Sequence, residues 1–81
     1  MNRITIRPGL DPEARYALES LLGEAMGTTG KVDGGGGAVD GSSSDIFFIN
    51  GCQNCVDGVI ADMRRLYPER AFELKAQGAE R

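Results

Sequence analysis

Residues Asp45 to Leu66, DIFFINGCQNCVDGVIADMRRL, decide how this chain folds. Ile46 to Ile49 is an unbroken apolar run of β-branched and aromatic residues, the pattern of a buried strand. Gly51 interrupts it. From about Cys52 to Tyr67 the apolar positions change to helical spacing, with Val56, Val59, Ile60, Met63, Leu66 and Tyr67 on one stripe. Pro68 ends that helix, because the residue before a proline is pushed out of helical geometry. A strand therefore runs directly into an amphipathic helix.

Cys52 and Cys55 stand at the junction. A helix N-terminus lowers thiol pKa, and thiolate is the form that attacks disulfides and binds soft metals. The same spacing sets both cysteines beside Val56 and Val59 on the apolar stripe, and free cysteine is a common small core residue. Two readings stay open: a thiol-redox or soft-metal site taking Cu(I) or Zn(II), or two small residues packing a helix start.

Upstream, Arg3 to Arg7 (RITIR) alternates polar and β-branched residues, which makes a strand with Ile4 and Ile6 on one face. Pro8-Gly9 ends it. Asp11 is a good N-cap and Pro12 suits the first helical position. Ala14, Ala17, Leu18, Leu21, Leu22, Ala25 and Met26 then form a helical stripe, with Glu13, Arg15, Glu19 and Glu24 on the wet side and Gly27 as the stop. Residues 27–44, GTTGKVDGGGGAVDGSSS, predict a Gly-rich flexible hairpin with a short edge strand or two around Lys31 to Asp40. Downstream, Ala71 to Lys75 (AFELK) alternates with Phe72 and Leu74 inward, and residues 77–81 are expected to fray.

The order is β-α-β-β-α-β, the split βαβ pattern of an α+β ferredoxin-like plait, with an antiparallel sheet and both helices on one face. The whole chain, residues 1–81, is expected to be one domain. In such a sheet the first and third strands are central. Ile46 to Ile49 is apolar on both faces, so Phe47 or Phe48 must lie on the helix-free face, beside Arg3, Thr5 and Arg7. An aromatic flanked by arginines suits a binding surface or a homodimer contact.

Composition narrows the chemistry. The formal charge is −3 and no basic block stands out, which argues against direct binding of a nucleic-acid backbone. Histidine is absent, removing imidazole general bases, Ser-His and Cys-His nucleophile pairs, and His-containing zinc sites. With two cysteines, no secretory leader pattern and no membrane-span-like stretch, a cytoplasmic protein with reduced thiols is expected.

The glycine run matches no nucleotide motif. GxGxxG fails because Val39 and Asp40 stand where glycines are needed, and Gly30-Lys31 follows a helix rather than preceding one. Glycine N–H groups can form an anion nest, but a floppy hairpin is the better account of the run. Asp33, Asp40 and Asp45 fit neither an EF-hand loop nor a GGxGxD repeat and suit solvated turns.

Several resemblances follow from these residues. The strand-CxxC-helix order resembles the redox site of thioredoxins and glutaredoxins, though only one strand follows here and no proline faces the thiols. GCQNCVDGVIADMRRL (residues 51–66) resembles the loop and helix of heavy-metal-associated domains, which share the plait and bind Cu(I) through both thiolates. In those domains the pair follows the first strand, and here it follows the third. CxxC followed by VIADMRRLYPERAFEL looks like the second half of zinc nucleobase deaminases, but this chain lacks their third ligand and proton-shuttling motif. GKVDGGGGAVDGSSSDIFF (residues 30–48), after the ALESLLGEA helix, is similar to small bacterial ferredoxin-like proteins of uncharacterised function. That resemblance implies the fold and no catalytic residue.

The expected function is a non-enzymatic binding module, a small acidic protein of the inhibitor or immunity type that docks to a protein partner, its acidic surface favouring basic patches, including those that normally hold nucleic acid. The candidate contacts are Arg3, Arg7, Phe47 and Phe48 on the sheet, or Asp33, Asp40 and Asp45 in the hairpin. The alternative is the Cys52-Cys55 site.

Overall fold

The computed structural model describes residues 2–76. They form β1 (Asn2–Arg7), α1 (Pro12–Met26), a 3-10 turn (Gly27–Thr29), β2 (Gly30–Gly37), β3 (Ser44–Asn50), α2 (Gln53–Leu66) and β4 (Ala71–Ala76). All strand pairs are antiparallel and the sheet order is β2-β3-β1-β4, so β1 and β3 are central as expected. This is a ferredoxin-like α+β plait. The expected fraying of 77–81 lies outside the described residues.

The period-two pattern of the strands selects the buried face. Ile4 and Ile6 of β1, Ile46 and Phe48 of β3 and Phe72 of β4 all lie under the helices. Leu18, Leu22 and Met26 of α1 cover them, spaced one turn apart, together with Val56, Val59, Ile60 and Met63 of α2. Leu21 and Ala25 pack against this core from its rim.

α1 starts where its cap predicts. The Ala14 N–H donates to the Asp11 carboxylate at 2.8 Å, Pro12 opens the first turn, and the Gly27 N–H closes the end on the Gly23 carbonyl. Ala17 is exposed, because the buried stripe narrows to the positions facing the sheet. Leu66 is also exposed, at 61 %: it follows Met63 by three residues at the end of α2 and turns toward the groove between the helices instead of the sheet.

The glycine segment is more regular than its composition suggests. Gly30–Gly37 is one eight-residue edge strand with a bulge between Val32 and Gly34. Its glycines also explain a correction on α1. Arg15 and Glu19 do not take the wet side; they form an ion pair at 2.6 Å with side chains only 13 % and 18 % exposed. The pair lies over Gly35, where a Cβ would run into both side chains and sit 2.7 Å from the Asp45 carbonyl oxygen. Bare backbone on β2 makes room for a charged pair where other strands offer apolar side chains.

Candidate functional site

The helix-free face of the sheet carries Arg3, Thr5 and Arg7 from β1 and Asp45, Phe47 and Ile49 from β3. Arg3 pairs across the ladder with Phe47 on one side and Lys75 on the other, Thr5 with Asp45 and Glu73, and Lys31 with Ile49. Phe47 is half-buried and Ile49 is exposed. Phe48, expected as a second contact, is instead 1 % exposed in the core. Adjacent strand residues point to opposite faces, so only one of the two phenylalanines can face outward, and the parity of Ile46 sends Phe48 inward.

Charge on this face departs from the charge of the chain. The basic residues are Arg3, Arg7, Lys31 and Lys75, and the acidic ones are Asp45 and Glu73. Glu73 is engaged by Arg7 at 3.2 Å, and Asp45 accepts the Thr5 hydroxyl at 2.9 Å. Arg3 Nε is buried and finds no acceptor among the described residues. Beside Phe47 and Asp45, Gly34 and Gly36 of the edge strand present no side chains, and a Cβ at either would meet only open space. The result is an apolar spot with basic neighbours and a bare margin. Lys75 was legible from the alternation of AFELK; Lys31 was not, because a bulge separates it from the glycines.

The three hairpin aspartates do not converge as a set. Asp33 is exposed at the β2 bulge, and Asp45 is on the open face against Thr5. Asp40 lies in the β2–β3 turn, where it accepts the Ser42 backbone N–H at 3.0 Å; that bond holds its carboxyl below the usual carboxylate range. These carboxylates shape turns and the sheet face.

The thiol pair sits at the β3–α2 junction. Gly51, at φ +105°, turns the chain, and its N–H donates to the Thr29 carbonyl at 2.9 Å. The Cys52 N–H donates to the Thr29 hydroxyl at 3.0 Å, which anchors the start of α2 to the end of the 3-10 turn. Cys52 is the N-cap residue of α2 but makes no side-chain capping bond. Both cysteines are free and partly buried, at the edge of the core rather than within it.

The Cys55 thiol is the largest influence lowering the Cys52 pKa, followed by the backbone N–H groups of Cys55 and Asn54. The same interaction raises the Cys55 pKa, with loss of solvation adding to it. Of the two, Cys52 is the thiol that loses its proton more readily. Among the described residues no group of three or more Cys, Asp or Glu gathers to hold a metal. Two thiolates alone suit a two-coordinate soft cation such as Cu(I) better than tetrahedral Zn(II).

No protein-family model, curated protein or solved structure matches this chain. The fold class is thus defined by its own topology. Among the described residues, no helix is long and apolar enough to cross a membrane.

Proposed function

We propose that this protein is a non-enzymatic docking module of the cytoplasm whose helix-free sheet face binds an apolar protein surface ringed by carboxylates. One observation carries the reading: Phe47 and Ile49 stand on a face where basic residues exceed acidic ones, although the whole chain is acidic. The docking charge is the reverse of what net charge implied. Arg3, Lys31 and Lys75 make no ion pair among the described residues and remain available to partner carboxylates. Complementary charge of this kind speeds encounter and rejects wrong partners more than it adds affinity.

Size sets the class of complex. Four strands at about 4.8 Å spacing and about 20 Å in length give a face near 400 Å², roughly half of one side of a standard interface. Binding confined to it belongs to the weak, transient class.

The test compares capture by immobilised wild type, Phe47→Asp, Lys31→Glu and, as a helix-face control, Leu66→Gln, each checked for its fold by circular dichroism. The expected result is a protein held by wild type and by Leu66→Gln, weakened by Lys31→Glu and by salt, and lost with Phe47→Asp. Retention by Phe47→Asp overturns the reading. So does release of the captured material by nuclease, which would make nucleic acid the true partner.

A further inference from the structure

We infer that Cys52 and Cys55 form a reversible dithiol–disulfide couple that exchanges with accessible disulfides carrying no negative charge. This rests on the helix start and is independent of the sheet face.

Geometry comes first. Helical geometry holds Cα atoms three residues apart at about 5 Å, inside the Cα separations of about 4.4–6.8 Å that disulfides accept. A Cys52–Cys55 bond therefore closes with side-chain rotation and little backbone movement. Both cysteines are partly exposed. The junction that carries them is held by two hydrogen bonds to Thr29, so the pair is presented from a fixed support.

Roles follow from position. Cys52, at the end of the helix with the Asn54 and Cys55 N–H groups about its sulfur, is the attacking thiolate. It displaces one sulfur of a disulfide RSSR, forming a Cys52–SR mixed disulfide and releasing RS⁻, which takes a proton from water. Cys55 then loses its proton to solvent and attacks the Cys52 sulfur, releasing the second RS⁻. The sum is two protein thiols plus RSSR giving the Cys52–Cys55 disulfide plus two RSH, with two electrons passing to RSSR.

Substrate charge is set by the surroundings of Cys55. That thiol borders an open groove of ≈ 530 Å³ between the helices, lined by Leu21, Glu24 and Ala25 of α1 and by Val59 and Asp62 of α2. Its floor is apolar; of the acidic residues at its rim, Asp62 is paired with Arg65, and Glu24 makes no ion pair among the described residues. Asp57, one turn into α2, is occupied by the Gln53 amide at 3.0 and 3.1 Å. Anionic disulfides are repelled there, and cationic ones are drawn in.

The experiment mixes the reduced protein with cystamine or with oxidised glutathione, traps free thiols with N-ethylmaleimide and weighs the intact chain. The expected product has lost two hydrogens and takes no maleimide, and it reverts when the reduced form of the reagent is added. Cys55→Ser should stop at one mixed adduct on Cys52. Cys52→Ser should react on the order of tenfold more slowly near neutral pH, because its remaining thiol lacks the helix-end position. Cystamine should react faster than oxidised glutathione, with the gap narrowing as salt is added. Stable adducts on both cysteines of the wild type, or bridges only between chains, would overturn the couple. Equal rates for the two reagents would overturn the role given to Glu24.

Discussion

The two helix N-termini occupy equivalent places in the two βαβ halves, yet they are completed in opposite ways. At α1 the Asp11 carboxylate accepts the Ala14 N–H, and Pro12 supplies a position that needs no donor. At α2 the cap residue is Cys52, which makes no capping bond and leaves its first-turn N–H groups facing a sulfur. A free helix N-terminus is a source of positive potential. The first half spends it on stability through a carboxylate, and the second half leaves it to act on a thiol. Equivalent backbone positions thus separate a structural end from a reactive one, and the side chain at the cap decides which is which.

The largest test of this contrast is Gly51→Ala. The positive φ costs an alanine about 1–2 kcal/mol, and its Cβ would meet Met26 Sδ at 2.8 Å and Val56 Cγ2 at 3.1 Å. Overpacking of that kind adds about 1–3 kcal/mol. Urea denaturation should show both costs together, and loss of the sharp turn should also misplace Cys52. An unchanged midpoint would show that the turn does not hold the reactive end.

Asp11→Ala comes next, with an expected loss of about 1 kcal/mol, the usual value of an N-cap carboxylate. The reciprocal change, Cys52→Asp, gives α2 the cap that α1 has. It should raise the unfolding midpoint by an amount corresponding to about 0.5–1 kcal/mol, while abolishing disulfide exchange. If Cys52→Asp brings no stability, the second terminus is already satisfied and the contrast fails.

The mildest probe leaves the fold untouched. Cys52 has its pKa lowered from the ordinary thiol value and Cys55 has its raised, so the thiolate appears on Cys52 first as pH increases. Iodoacetamide labelling followed by peptide mapping should therefore modify Cys52 at lower pH than Cys55. In Cys55→Ala the Cys52 profile should move back toward higher pH, because its largest stabilising partner is gone. Coincident profiles would mean that Cys55 does not act on the Cys52 thiol.

Local signals made most of the fold legible. The two helices, their N-terminal boundary residues, the alternation in RITIR and AFELK and the β-α-β-β-α-β order depend on neighbours along the chain, and each agrees with the structure. Residues whose setting depends on another element were less legible. Arg15 and Glu19 look solvated on a helical wheel, because nothing in α1 reveals that bare glycine backbone will lie beneath them. Leu66 belongs to an apolar stripe by spacing, but its exposure depends on where the sheet ends under α2.

The candidate sites divide in the same way. The chain alone determined that two thiols open a helix, that histidine chemistry is absent and that one phenylalanine of the Phe47-Phe48 pair must face outward. Those statements follow from composition and from the periods of strand and helix, which are properties of short segments. Only the tertiary structure decided that Phe47 is the outward residue, that Lys31 and Lys75 join Arg3 and Arg7 around it, and that both cysteines are partly exposed. Strand pairing and register settle these points by joining residues up to about 70 positions apart, and no local pattern records which ones will meet.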